Sequence, residues 1–160
     1  MTSKPERYRE LGRQLEALFE GERDGLANCA NMSAQIFEAL PDVNWAGFYF
    51  MKKGELVLGP FQGRSACVRI AMGRGVCGTA ASRRETVIVP DVHEFPGHIA
   101  CDSASRSEIV VPIVAGGRLL GVLDIDSPEP ATFGAEDAEG LETAVRLLLR
   151  SSDMTGLFGG

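Results

Sequence analysis

The stretch "SEIVVPIVAGGRLLGVLDIDS", residues 107–127, gives the clearest indication of the fold. It contains two apolar runs of strand length, "EIVVPIV" and "LLGVLDIDS", separated by the short segment "AGGR". Two such runs joined by a glycine-containing turn are typical of two antiparallel neighbouring strands. The stretch therefore predicts a β-hairpin near the end of the chain.

A second hairpin is predicted upstream, where "NWAGFYFM" and "ELVLG" flank the turn "KKGE". The first forty residues show helical spacing of apolar residues, and a further helix is expected from about Ala135. Helices at both ends of a series of strands indicate an α+β fold, in which N- and C-terminal helices cover a central, mainly antiparallel sheet. We expect one domain over residues 1–151, followed by a tail over residues 152–160.

Shorter elements are expected between the two hairpins. "CVRIAM" and "TVIVPD" are predicted strands, and "CGTAASRRE" is a predicted short helix. From Asp91 to about Arg106 the chain has no regular pattern. An irregular segment of that length in a compact domain is usually a lid or a binding loop. We therefore expect it to contribute to a functional site.

The chain length and the net charge exclude several classes of function. A chain of 160 residues suits a single core, and its net charge of −6 argues against nucleic acid or an anionic membrane as partner. No apolar run reaches the roughly 18 residues of a membrane helix, and the start "MTSKPERYRE" lacks the apolar centre of a signal peptide. These features predict a cytoplasmic protein.

The motif "GRGVCG", residues 73–78, matches the G-x-G-x-x-G pattern of dinucleotide-binding sites. The helix that follows is too short for a crossover helix, and the two hairpins predict antiparallel rather than parallel pairing. We interpret the glycines as residues that permit tight turns and close backbone approach. No cofactor is predicted.

Strand alternation places two pairs of side chains on common faces. Asp124 and Asp126 lie two residues apart, so both carboxylates point to the same side of the sheet. They either lie at a solvent-exposed end of the strand or bind the ammonium group of a ligand. Trp45 and Tyr49 likewise share a face, and Gly47 between them leaves a notch that a small ligand or another backbone could enter. The alternative is that the two rings are simply core aromatics.

Four cysteines occur in the chain. Cys29 lies in a helical run and is most simply a small buried hydrophobe. Cys67, Cys77 and Cys101 lie in loops or at element ends, where a metal site completed by a histidine, His93 or His98, is conceivable. Their irregular spacing argues against metal, and thiol redox chemistry with a nucleophile and a resolving thiol is the remaining interpretation.

Together these motifs resemble the free methionine-(R)-sulfoxide reductases, which are stand-alone GAF domains. The resemblance covers nearly the whole chain and is carried by "NWAGFYF", "GPFQGRSACVRI", "GRGVCGTAA", "DVHEFPGHIACDSASRSEIVVPI" and "GVLDIDSP". It implies reduction of free methionine-(R)-sulfoxide through a cysteine sulfenic acid and a disulfide, with thioredoxin as the reductant and a homodimer as the assembly.

The resemblance also implies individual roles. Cys101 matches the nucleophile, Cys67 the resolving thiol, and Cys77 a third cysteine that can take part in resolution. The acids that bind substrate and polarise the sulfoxide, and the aromatic residues of the pocket, are matched by Glu108, Asp124, Asp126, Trp45 and Tyr49. The rival hypothesis is a GAF-type small-molecule or redox sensor without turnover.

Overall fold

The computed structural model describes residues 2–97 and 104–159. Within these residues, four α-helices and six β-strands follow one another in the order α1 (Lys4–Phe19), α2 (Gly25–Ala39), β1 (Trp45–Lys52), β2 (Glu55–Gly63), β3 (Arg69–Ala71), α3 (Gly75–Arg83), β4 (Val87–Val89), β5 (Ser107–Ala115), β6 (Arg118–Ser127) and α4 (Ala135–Ser151). Both predicted hairpins are present, as β1–β2 and β5–β6.

The six strands form one sheet in the order β3-β2-β1-β6-β5-β4, and every neighbouring pair is antiparallel. The two hairpins meet at the centre of the sheet, where β1 pairs with β6. The predicted α+β fold with an antiparallel sheet is therefore confirmed. The pairing of β1 with β6 also brings residues of the two hairpins into lateral contact.

Alternation along the strands divides the core into two layers. Phe48 of β1 and Ile125 of β6 belong to the larger layer, which packs against helices α1, α2 and α4. Trp45, Tyr49 and Val122 belong to the smaller layer on the opposite face, beneath α3. The N- and C-terminal helices thus cover one face, and the other face is left to a single short helix and a pocket.

Local sequence explains where the helices begin. The Ser3 side chain accepts a hydrogen bond from the Glu6 N–H at the start of α1, and Asp24 does the same for the Ala27 N–H at the start of α2. At α4, the Asp137 carboxylate accepts from the Gly134 N–H at 2.8 Å and also from the Tyr8 hydroxyl at 2.7 Å. This buried carboxylate therefore joins the first helix to the last.

Two segments carry more structure than the sequence indicated. The expected irregular stretch contains a 3₁₀ turn at Val92–Glu94, because the Asp91 carboxylate accepts a hydrogen bond from the His93 N–H. Residues 152–159 pack on the domain: Met154 is buried, and the Asp153 N–H donates to the Arg23 carbonyl. The domain boundary at residue 151 remains a prediction.

In the described part of the chain, none of the helices is both long enough and apolar enough to cross a bilayer.

Candidate active site

Three acids converge on the sheet face beneath α3. In the strand register, Glu108 of β5 lies opposite Asp126 of β6, and Asp126 lies opposite Trp45 of β1. Asp124 lies two residues earlier on β6 and therefore points to the same face. All three carboxyl side chains are buried and line one pocket. Pairing of β5, β6 and β1 thus collects acids that are distant in the sequence.

The aromatic pair of β1 lines the same pocket. The rings of Trp45 and Tyr49 lie 6.0 Å apart and nearly parallel, and both side chains are almost fully buried. The Trp45 indole N–H donates to the Arg64 carbonyl at 2.9 Å, and the Tyr49 hydroxyl donates to the Cys67 carbonyl at 2.9 Å. These hydrogen bonds fix both rings against the loop that carries Cys67.

The notch at Gly47 is filled by the protein itself. A side chain added there would collide with the Cβ atom of Phe61 on β2, and it would also approach the Pro60 carbonyl. The register between β1 and β2 shifts at this point, and the Phe61 ring stacks on Trp45 at 5.2 Å. Gly47 therefore admits the neighbouring strand β2, which is the second of the two alternatives that the sequence left open.

Helix α3 closes the pocket from above. It begins inside the "GRGVCG" motif, where Gly73 and Gly75 adopt positive φ angles of 79° and 62°. A side chain at Gly78 would collide with the Ala71 carbonyl, and the Gly78 N–H donates to the Arg74 carbonyl at 2.9 Å. The glycines therefore permit a tight turn and close backbone approach. This turn places Cys77 in the first turn of α3, above the acids.

The buried thiol and the acids are in close contact. The Cys77 Sγ atom lies 3.9 Å from Oε2 of Glu108, within hydrogen-bond range for sulfur. Ligand-type atoms of Cys77, Glu108 and Asp124 all lie within 4.8 Å of one another. The three side chains therefore form a compact group that has both soft and hard donor atoms.

Burial sets the protonation of this group. Desolvation, and then the charges of Asp124 and Asp126, raise the pKa of Glu108 well above its ordinary value. Desolvation also raises the pKa of Asp124. The pKa of the Cys77 thiol is raised well above its ordinary value by burial and by the neighbouring acids. The site consequently favours the protonated carboxyl of Glu108 and the neutral thiol of Cys77 to higher pH than is ordinary for these groups.

The cysteines differ in whether they form a disulfide. Cys67 is half-buried and disulfide-bonded, whereas Cys29 and Cys77 are free thiols. Cys29 is buried in the helix-covered core, away from the pocket. Cys101, the matched nucleophile, lies outside the described residues, as does His98. A metal site that uses the Cys67 thiolate is incompatible with its disulfide.

Several pocket residues were not predicted from the sequence, and two of them, Arg74 and Ser105, carry polar side chains of interest. Arg74 lines the pocket at the N-cap of α3, where its side chain makes no capping hydrogen bond. Ser105 is buried and lines the pocket, and its Oγ atom has no hydrogen-bond partner among residues 2–97 and 104–159. The motif "GRGVCG" could have indicated that Arg74 lines a site, because a glycine-rich turn can expose the N-terminus of a helix to a ligand. No comparable pattern surrounds Ser105.

Comparison with known proteins identifies relatives along most of the chain. Residues 14–150 match the GAF domain model. The free methionine-R-sulfoxide reductase of Escherichia coli (strain K12) is 53% identical over 146 residues, which cover 91% of this chain and 88% of that protein. Protein YtsP of Bacillus subtilis (strain 168) is 56% identical over 147 residues, which cover 86% of this chain and 90% of the relative.

Solved structures agree with these relatives. The free methionine-R-sulfoxide reductase of Neisseria meningitidis, solved in complex with its substrate, superposes with a TM-score of 0.91 at 46% identity. The match covers 94% of this chain and 91% of that one. The fold, the extent of the matches and their identity lead to one conclusion: the chain belongs to the GAF-domain family and, within it, to the free methionine-R-sulfoxide reductases.

Proposed function

We propose that this protein reduces free L-methionine-(R)-sulfoxide to L-methionine through cysteine chemistry. The observation that carries the proposal is the pocket in which three buried acids, two aromatic rings and the Cys67 loop meet. A sulfoxide substrate needs a proton donor at oxygen, an apolar wall for its methyl-sulfur end and a thiol near sulfur. The pocket supplies the first two, and cysteine-containing segments supply the third.

Glu108 is the proton donor in this proposal. A sulfoxide sulfur is a poor electrophile until its oxygen accepts a hydrogen bond or a proton. The raised pKa of Glu108, caused by burial and by the neighbouring Asp124 and Asp126, favours the protonated carboxyl that can donate at neutral pH. Three acids in one enclosed pocket cannot all ionise at low energetic cost, and so one of them retains its proton.

Asp124 and Asp126 hold the substrate's α-ammonium group. They project from one face of β6 into the pocket, and Oδ1 of Asp124 is buried without a hydrogen-bond partner in the described residues. A bound ammonium would supply both the missing hydrogen bond and a compensating positive charge. The pair therefore favours the free amino acid over a peptide-bound residue.

The N-terminus of α3 receives the substrate's carboxylate. The first backbone N–H groups of a helix have no intrahelical acceptor and carry partial positive charge, and the Arg74 guanidinium at the same end adds a full charge. An anion at this end of the pocket would lie opposite the acids of β6. The amino acid would then be held at both of its charged groups, with its methyl-sulfur end against Trp45.

Cys101 is the proposed nucleophile. Its thiolate attacks the sulfoxide sulfur, oxygen passes from substrate to the Cys101 sulfur, and methionine leaves with a sulfenic acid remaining on the enzyme. The Cys67 thiol then attacks the sulfenic sulfur, forming a disulfide and releasing water. The disulfide-bonded state of Cys67 supports its role as the resolving thiol.

Recycling requires an external dithiol, which exchanges with the disulfide and restores both thiols. We assign this role to thioredoxin, as the resemblance implies, with Cys77 as an auxiliary resolving thiol. A reducing, cytoplasmic location fits a thiol enzyme, and a homodimer is the expected assembly. A sensor module without turnover is the competing hypothesis.

The test is an assay of free methionine-(R)-sulfoxide reduction with dithiothreitol or thioredoxin as reductant. Wild type is expected to turn over many times, and Cys101→Ser to lose activity because a hydroxyl is a far weaker nucleophile towards sulfur. With thioredoxin as the only reductant, Cys67→Ser should release about one methionine per subunit and stop at the sulfenic acid stage, whereas dithiothreitol would reduce the sulfenic acid directly. Cys29→Ala, which alters a buried thiol outside the pocket, is the matched control and should turn over normally.

Three results would contradict parts of the proposal. Full multi-turnover activity in Cys101→Ser would reject this residue as nucleophile. Continued cycling of Cys67→Ser with thioredoxin would transfer the resolving role to Cys77. Tight binding of the sulfoxide by wild type without any methionine formed would favour the sensor hypothesis.

A further inference from the structure

We propose that Cys77, Glu108 and Asp124 form a binding site for a soft divalent metal ion of the Zn²⁺ class. The proposal goes beyond sulfoxide reduction, because it assigns to these residues an inorganic ligand. Metal binding itself does not rest on the proposed function. It rests on the arrangement of one thiol and two carboxyl groups beneath helix α3.

The spacing of the donor atoms suits a tetrahedral ion. Zn²⁺ binds sulfur at about 2.3 Å and carboxylate oxygen at about 2.0–2.2 Å, which places tetrahedral S and O ligands roughly 3.5 Å apart. The observed distance from Cys77 Sγ to Glu108 Oε2 is 3.9 Å, and the Asp124 oxygen lies within 4.8 Å of both atoms. Contractions of at most ~1.4 Å would therefore form a three-ligand site, and a fourth position would remain for water.

An independent observation points to a cation at this place. Asp124 lines the pocket and is only 6% exposed. Its Oδ1 atom has no hydrogen-bond partner in the described residues. A buried carboxylate oxygen without a donor is energetically unfavourable. A metal ion satisfies it directly, and its two positive charges also offset the crowding of acids.

The three side chains are held by rigid elements. Asp124 and Glu108 project from β6 and β5 of the central sheet, and Cys77 lies in the first turn of α3. Sites on strands and helices keep their ligands closer to the required geometry than sites on loops do. On binding, the Cys77 thiol and any protonated carboxyl release their protons to solvent, and the metal takes their place.

Metal binding should compete with the amino-acid substrate, because Asp124 and Glu108 are assigned to both ligands. This consequence rests on the proposed function. Zn²⁺ would then act as a reversible inhibitor that occupies the substrate pocket. Free Cys77, which the main catalytic steps do not require, would have a defined role as the soft ligand of that inhibitory site.

Binding can be tested with Co²⁺, a spectroscopic substitute for Zn²⁺, on untagged full-length protein in its disulfide form. Thiolate coordination gives a charge-transfer band in the near ultraviolet, and Zn²⁺ should abolish that band by displacement. Cys77→Ser is expected to remove the band, whereas the control Cys29→Ser should retain it. A band of equal intensity in Cys77→Ser, or no band in wild type, would overturn the proposal.

A second pair of variants keeps the thiol and changes only the carboxylates. Asp124→Asn and Glu108→Gln preserve side-chain shape but weaken the oxygen ligand, and each should lower Co²⁺ affinity at least ~10-fold, measured by calorimetric titration. Unchanged affinity in both variants would overturn the three-ligand site even if Cys77→Ser failed to fold.

A third measurement separates this proposal from the proposed function. Free methionine sulfoxide at saturating concentration should lower the apparent Co²⁺ affinity of wild type. If Co²⁺ binds through Cys77 and the amino acid has no effect, the metal site stands and the assigned substrate position is wrong. If the amino acid binds but Co²⁺ never yields a thiolate band, the metal site alone is rejected.

Discussion

The Cys77 sulfur and the Glu108 carboxyl lie 3.9 Å apart in a buried pocket, although they come from a helix and a strand on different parts of the chain. Each raises the energetic cost of ionising the other, because their charges would be of the same sign in a medium of low polarity. The pair is therefore most stable with both protons in place. This relationship has consequences for reactivity and for the pH dependence of stability.

Cys77 should be a slow target for alkylation in the folded protein. The thiolate is the reactive form, and burial together with nearby acids raises the pKa of Cys77. With iodoacetamide at pH 8, labelling of Cys77 followed by mass spectrometry should be markedly slower in native protein than in denatured protein, because the raised pKa lowers the thiolate fraction.

Cys29 provides the control for that experiment. Burial raises the pKa of Cys29 to about 12 without any contribution from the pocket acids, and it should be similarly protected. Labelling of native Cys77 at the denatured rate would show that the pocket opens readily or that its acids do not suppress ionisation.

Stability should fall as pH rises above the ordinary carboxyl range. Unfolded Glu108 ionises near pH 4.3, whereas folded Glu108 keeps its proton to higher pH because its pKa is raised. Between these two values the unfolded chain binds fewer protons, and the free energy of unfolding decreases by at most about 1.4 kcal/mol per pH unit. Glu108→Gln should reduce this slope, since the raised pKa of Asp124 still contributes to it, and should be more stable than wild type at pH 7.

Denaturant unfolding of both proteins between pH 4 and pH 8 checks this expectation. Glu16→Gln, a change at an exposed position of α1, is the matched control and should leave the slope in place. If Glu108→Gln is less stable than wild type at every pH, the carboxyl makes a favourable ionised contact and the assigned protonation is wrong.

The protein should prefer free methionine sulfoxide over its N-acetyl derivative by at least ~100-fold in kcat/KM. Acetylation removes the positive charge that Asp124 and Asp126 are proposed to bind, and it leaves Oδ1 of Asp124 buried without a hydrogen-bond partner in the described residues, at a cost of ~1–3 kcal/mol or more. The added bulk in an enclosed pocket contributes further. A factor of 100 corresponds to about 2.7 kcal/mol.

Asp126→Asn should erode that preference as well as lower activity, because it removes one of the two charges. The measurement compares kcat/KM for both substrates in wild type and variant. Equal values for the free and acetylated substrates in wild type would show that the acids serve another purpose.

Gly47→Ala should destabilise the fold by roughly 1–3 kcal/mol, the range typical of overpacked sites. The added Cβ would collide with Phe61 and separate β1 from β2 beneath Trp45. Thermal unfolding checks the change. Gly12→Ala, in the middle of α1 with open space around the new Cβ, should instead stabilise by about 0.5–1 kcal/mol. Equal stability of Gly47→Ala and wild type would show that β2 moves aside easily.

Short-range pattern in the sequence determined the two hairpins, the terminal helices and the face on which each strand residue lies. Trp45 with Tyr49, and Asp124 with Asp126, could be assigned to common faces because successive side chains of a strand point to opposite sides. That alternation follows from covalent geometry and needs no knowledge of neighbouring strands.

Which of these strand faces contact one another could be read only from the tertiary structure. The pairing of Trp45 with Asp126, and of Asp126 with Glu108, depends on β6 lying between β1 and β5. The occupation of the Gly47 notch by Phe61 depends on the β1–β2 register, and the position of Cys77 depends on how α3 packs over the sheet. These arrangements depend on the free energy gained when whole surfaces are buried against one another. Because that free energy is distributed over residues far apart in the chain, no short segment of sequence predicts them.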